Sequence, residues 1–131
     1  DHFLDQTLNW LKTRAASGTN DTGLIYVSDH GESLGENGLY LHGVPYAFAP
    51  QQQTHVPMVS WLSPGLQQRA GVRMDCLRAR SGEALSHDHI FHSVLGLMDV
   101  STSVYEPALD AMAPCANAAA PAGSVKPSLA G

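Results

Sequence analysis

The stretch GLIYV, Gly23 to Val27, constrains the fold more than any other part of the chain. It is short, apolar and β-branched, with no polar alternation. Such a run reads as a strand buried on both faces of a parallel sheet. It leads without a break into Ser28-Asp29-His30-Gly31. Neighbouring side chains of a regular strand point to opposite faces. Asp29 and His30 can therefore reach one point only if the strand has ended and the chain is turning. Gly31 lies where that turn would fall. Open α/β sheets bind ligands outside the carboxyl ends of their strands, so the position suits a site.

The rest of the chain supplies the other layers. Phe3, Leu4, Leu8 and Leu11 recur at helical spacing with Asp5, Gln6, Asn9 and Lys12 opposite, which predicts an amphipathic helix ending near ASGTND. No cap signal precedes Asp1, so this helix is expected to begin upstream. Residues 31–55, rich in Gly, Pro and Gln, read as a long loop, and loops of that length are usually functional or disordered. Val56 to Leu62 is a second strand, which Pro57 pushes toward a strand start or an edge position. SPGLQQRAG reads as a turn with a short helix. LSHDHIFHSVLGLMDV predicts a second strong helix, with Ser86 as N-cap, Asp88 in the first turn, and Ile90, Phe91, Val94, Leu95 and Met98 as the buried stripe. The tail 116–131, built of Ala, Pro, Gly and Ser, is expected to be disordered. Helix, strand, loop, strand, helix suggests an α/β fold with a parallel or mixed sheet.

Composition narrows the function. The chain has 131 residues, 44% of them apolar and 15% charged, which suits one globular domain. A net charge of −5 without a Lys/Arg run argues against nucleic-acid binding. No apolar run approaches membrane-spanning length. Cys76 and Cys115 form no CxxC pair, so a cysteine-rich zinc site is not expected; a disulfide and two unrelated buried thiols both fit.

A carboxylate beside an imidazole at a strand end suits a Zn²⁺ ion. Asp29 capping a turn is the plainer reading of the same pair. His42 can add a ligand or a phosphate contact from the far side of the loop. The glycines at 31, 35, 38 and 43 lack the Gly-Lys-Ser/Thr of a phosphate loop, and turn-making is their default role. Of His87, His89 and His92, only the last two share a helical face, and capping and packing suit them better than a second metal site. His55 reads as a loop residue near the sheet end, and His2 lies on the polar side of the first helix. No GxSxG or other serine or cysteine nucleophile motif is present.

YVSDHGESLGENGLYLHG followed by PYAFAPQQQTHVPMVSWLS closely resembles the C-terminal part of the catalytic domain of lipid A phosphoethanolamine transferases, in the sulfatase-like branch of the alkaline phosphatase superfamily. The motifs SDHGESLGENG, YLHG, APxxQ and VPM stand in that family's order and spacing. The resemblance spans roughly residues 1–115. It implies a partial α/β sandwich with a mostly parallel sheet and flanking helices. It implies zinc-dependent transfer of phosphoethanolamine from phosphatidylethanolamine to lipid A through a covalent threonine intermediate, at the periplasmic face of the bacterial inner membrane, with polymyxin resistance as the outcome. Asp29 and His30 match the family's zinc ligands. His42 matches the histidine at the substrate phosphate or an additional zinc, and Glu32 lines the same region. The oxidising periplasm favours a Cys76–Cys115 disulfide.

The chain departs from the family's pattern in what it lacks. Thr7, Thr19 and Thr22 do not sit in the nucleophile's motif, and the transmembrane bundle that tethers the family is missing. The chain reads as a C-terminal fragment of a longer enzyme, inert by itself. Two other functions compete. One is a sulfatase-like hydrolase or another lipid-headgroup transferase, and the other is a non-catalytic metal-binding module.

Overall fold

The computed structural model describes residues 1–117. Of the tail read as disordered, 116–131, only Ala116 and Asn117 fall within the described residues, where Ala116 bridges to Val72; positions 118–131 lie outside them. The chain divides into two compact units, Asp1–Leu66 and the part from Gln67 onward.

In the first unit, α1 (His2–Ala16) is capped by Asp1, whose carboxylate accepts the Leu4 N–H at 3.3 Å. The sequence reading had assigned this helix no cap. Leu4, Leu8 and Leu11 are half-buried, while Phe3 is exposed. Thr22 ties the helix to the next strand by donating its hydroxyl to the Leu11 carbonyl at 3.1 Å. β1 (Gly23–Val27) pairs with β4 (Met58–Leu62), and the register runs from Gly23 opposite Leu62 to Val27 opposite Met58. The pair is antiparallel, which departs from the mostly parallel arrangement expected. β1 is also half-buried rather than buried on both faces, because β4 is its sole strand neighbour among the described residues. Pro57 stands just before β4, where its missing N–H costs no ladder bond. Ser63 extends the pairing: its N–H donates to the Thr22 carbonyl at 2.8 Å, and its hydroxyl accepts the Thr22 N–H at 3.1 Å. The same hydroxyl accepts the Leu66 N–H at 3.3 Å, at the start of α3 (Pro64–Ala70).

The segment read as one long loop contains structure. β2 (Ser33–Leu34) and β3 (Tyr40–Leu41) form a short hairpin around a 3₁₀ turn at Glu36–Gly38, and α2 (Gln51–Thr54) follows. Glu36 holds the turn by accepting the Leu34 N–H at 2.7 Å. Its carboxyl is held below the ordinary value, chiefly by its own backbone N–H and then by that of Leu34.

In the second unit, α4 (Met74–Ala79) follows α3 and was not foreseen. The Cys76–Cys115 disulfide fastens it to a late 3₁₀ turn, Ala113–Cys115, with Cα atoms 5.6 Å apart. Backbone bonds run beside the bridge: Arg73 N–H to the Cys115 carbonyl at 3.1 Å, and Asn117 N–H to the Gly71 carbonyl at 2.9 Å.

α5 (Asp88–Leu97) buries His92 and Ser93 most deeply; of the apolar stripe expected, Ile90 and Leu95 are half-buried while Phe91, Val94 and Met98 are exposed. The reason is the polar segment packed on it. His92 Nδ1 accepts the Glu106 N–H at 3.0 Å, and the Ser93 hydroxyl accepts the Ala111 N–H at 2.9 Å. Ser86 does not cap this helix with its hydroxyl, which instead reaches the Asp88 carboxylate at 3.1 Å, while its N–H donates to His89 Nδ1 at 3.1 Å. His89 thus serves the helix start and His92 its packing. Asp110, buried, accepts the Tyr105 hydroxyl at 2.7 Å and the Met112 N–H at 2.8 Å.

Two predictions follow from this unit. Replacing both Cys76 and Cys115 by Ala opens a loop set by a separation of 39 residues, and should lower unfolding free energy by about 3–4 kcal/mol in the chain-entropy picture, measured by urea denaturation. Tyr105 is pushed up to about 12, first by burial and then by its bond to Asp110. A raised value contributes stability that is fully present below about pH 10, the ordinary tyrosine value, and is lost as pH rises through the folded value. Tyr105→Phe should remove that part of the alkaline decline and cost about 1 kcal/mol at neutral pH. Parallel stability curves for both proteins between pH 8 and 12 would contradict this.

Candidate metal centre

The antiparallel register sets the site's location. The chain leaves β1 at Val27 and re-enters β4 at Met58, its direct partner. Everything between returns to the carboxyl end of β1. The strand stops because the next polar groups bond locally. Ser28 donates its hydroxyl to the His30 carbonyl at 2.7 Å, and the Asp29 carboxylate accepts the His30 N–H at 3.1 Å. That bond, followed by the charge of the His30 ring, holds the Asp29 carboxyl below its ordinary value.

His30 Nδ1 lies 2.9 Å from the Gly31 carbonyl. The carbonyl can only accept, so Nδ1 is the donor there and Nε2 is the ring nitrogen that the backbone leaves unengaged. Asp29 Oδ2 is 3.8 Å from that Nε2. Four-coordinate zinc, with bonds of about 2.0–2.2 Å, sets neighbouring ligand atoms roughly 3.4 Å apart. Asp29 and His30 are thus close to a shared-ion geometry.

The far side of the loop closes on the same place. The His42 ring stacks near that of His30, with centroids 4.0 Å apart and planes 32° from parallel. His42 Nδ1 is 3.3 Å from Glu32 Oε2. One ligand atom each from His30, Glu32 and His42 lie within 4.8 Å of one another. All three residues are exposed, and His30 and His42 line a cleft of about 270 Å³ together with Tyr46 and Gln53. Two imidazoles and two carboxylates at this strand end form a donor set that suits Zn²⁺. The three-residue group thus brings together His30, Glu32 and His42, with Asp29 at its edge beside His30. His55 is not among them: it ends α2, with Nδ1 3.3 Å from the Gln51 amide.

Gly31 has a different reason to be glycine from the one expected. Its φ is not positive. A Cβ at this position would collide with the Gln52 carbonyl, so α2 is docked directly on the site loop. The left-handed turns are made elsewhere, at Gly35 and Gly43 among others, and also at Leu41, with φ of 64°.

Residues 1–100 match the family model described as Sulfatase. The chain belongs to the sulfatase family. Among curated proteins it is 48% identical over 116 residues to phosphoethanolamine transferase EptA of Salmonella typhimurium, covering 88% of this chain and 21% of that protein. It is 43% identical over 101 residues to phosphatidylethanolamine transferase Mcr-1 of Escherichia coli, covering 77% of this chain and 17% of that protein. It therefore spans about a fifth of the length of these relatives. The crystal structure of the soluble domain of lipooligosaccharide phosphoethanolamine transferase A from Neisseria meningitidis matches with a TM-score of 0.81 and 44% identity, over 88% of this chain and 34% of that domain. The mixed helix and strand arrangement is accordingly part of the sulfatase-like α/β sandwich that the motifs implied, with its sheet only partly contained in this sequence.

The sequence reading gives Gln53 no role of its own. It is the last of three glutamines and the one that the APxxQ motif fixes, but the motif does not say what it binds. Gly31→Ala should test the docking of α2: overpacking against a backbone carbonyl should cost about 1–3 kcal/mol, read as a lowered denaturation midpoint.

Proposed function

We propose that this chain carries part of the zinc centre of a phosphoethanolamine transferase acting on lipid A. The observation that carries the reading is the convergence of Asp29, His30, Glu32 and His42 at the carboxyl end of β1, in a chain 48% identical to EptA. His30 would hold zinc through Nε2, the nitrogen its Gly31 contact leaves open. Asp29 would be the neighbouring ligand. Bound zinc would supply Lewis-acid polarisation and positive charge beside a phosphoryl group. The acidic chain then needs no basic patch at its substrate.

Glu32 and His42 would stand on the substrate side of the ion, close enough to add weaker contacts to it as well as to meet the phosphoryl group. In its doubly protonated form His42 gives one N–H to the Glu32 carboxylate and leaves Nε2–H for a phosphoryl oxygen. Glu32 orients the ring and balances its charge. The reaction comprises two displacements at phosphorus. The bond from phosphorus to the diacylglycerol oxygen of phosphatidylethanolamine breaks as one forms to a threonine oxygen of the whole enzyme. That bond then breaks as phosphorus passes to a lipid A phosphate. Each displacement moves one phosphoethanolamine group and needs no redox partner.

The product carries an added ammonium group, which lowers the negative charge that polymyxin and other cationic peptides bind. A periplasmic location at the inner membrane suits this substrate pair, and a relative from Neisseria meningitidis is described as an integral membrane protein. No helix among the described residues is long and apolar enough to cross a membrane.

The test uses the intact protein. Asp29→Ala and His30→Ala should each lower bound zinc, measured by elemental analysis, and reduce transfer from a labelled phosphatidylethanolamine by about 100-fold or more, in the range of lost metal-centred catalysis. His42→Ala should reduce transfer while leaving more of the zinc in place. Normal zinc content and normal transfer in His30→Ala would refute the assignment.

A further inference from the structure

The Gln53 side chain is buried, at 5% exposure, in a unit whose site residues are all exposed. Its Nε2 donates to the Ser33 hydroxyl at 2.8 Å and to the Leu41 carbonyl at 3.1 Å. Its own backbone carbonyl accepts the Gly31 N–H at 2.9 Å. These three partners are the immediate neighbours of the site side chains. Gly31 lies between His30 and Glu32, Ser33 follows Glu32, and Leu41 precedes His42.

Leu41 explains why an amide is needed. Its φ of 64° places a branched-chain residue in the left-handed region, where any residue with a Cβ is strained. The peptide that carries this strain leads directly into His42, so a return to ordinary φ would re-aim the imidazole. The bond from Gln53 to the Leu41 carbonyl opposes that return. An apolar side chain of the same size could fill the space but could donate to neither oxygen. Burying a carboxamide is costly unless it is hydrogen-bonded, and here both donor bonds go to segments that carry the site.

We propose that Gln53 is the positioning residue of this centre: its carboxamide and its own carbonyl set the spacing of His30, Glu32 and His42, and through that spacing the affinity for the metal, while Gln53 ligates nothing itself. The inference rests on the metal-centre reading above. Residues that orient metal ligands change affinity by about 10–100-fold when replaced. α2, only four residues long, acts as the fastening point between the strand-end loop and the hairpin.

The test is a zinc titration of the intact protein against a competing chromophoric chelator, with thermal unfolding followed alongside. Gln53→Met should weaken zinc binding by roughly 10-fold or more while the protein remains folded. Adding Leu41→Gly to Gln53→Met should recover part of that affinity, because glycine adopts the left-handed conformation without strain. A purely space-filling role for Gln53 predicts no recovery, and that outcome would overturn the proposal. Ser33→Ala, which removes one acceptor and keeps the core, should give an intermediate loss; it decides the matter if Gln53→Met does not fold, since unchanged affinity in Ser33→Ala would then reject the idea. His30→Ala runs as the control. If it abolishes zinc binding while Gln53→Met stays within twofold of the parent, the positioning role is wrong and the metal centre stands. If His30→Ala leaves zinc binding unchanged, the metal-centre reading itself falls, and this proposal with it.

Discussion

The pairing of Val27 with Met58 is the constraint on which the first unit depends. Antiparallel partners share an end, so the chain between them must depart and return at one place. Residues 28–57 are thus gathered at the carboxyl end of β1 whatever their own preferences. The gathering brings two histidines, twelve positions apart in sequence, to a ring separation of 4.0 Å. Local bonds then do the finer work. Asp29 turns the backbone, the Gly31 carbonyl orients His30, and Gln53 holds the hairpin to the loop. The strain at Leu41 is tolerated because its surroundings over-determine it.

The second unit solves a different problem by different means. Among the described residues its buried apolar side chains are few: Val72, Met112 and Cys115. Where helix α5 meets the segment after it, the contact is made by His92, Ser93, Tyr105 and Asp110, and each polar group finds a partner. Burial of such groups is neutral at best unless they are satisfied. The disulfide adds what a small apolar core cannot supply.

Much of the site was legible in the sequence because its chemistry is local. Asp29-His30 at the end of an apolar run, and His42 across a glycine-rich stretch, are signals of residue type and position. Glu32 entered only through the family resemblance. The two main strands were equally plain as short apolar runs, and the first and last long helices from their periodicity. Three things were not. The sense of the β1/β4 pairing depends on where the intervening chain goes, which the apolar run itself does not encode. The buried face of α5 follows from hydrogen bonds to a segment with no periodicity, so the apolar stripe located it only in part. Gln53 is the fixed glutamine of APxxQ, but only its partners in the fold show what its amide does.

The tie between Cys76 and Cys115 has a topological meaning as well as an energetic one. It closes α4, the exposed stretch from Ser81 to Asp88, helix α5 and the segment after it into a covalent ring. A protease that cuts once within Ser81–Asp88 changes the connectivity of this ring without dividing the molecule. The two pieces would migrate as one species until a reductant parts them. A single nick, ordinarily the first step of degradation, is here an event that the fold can outlast.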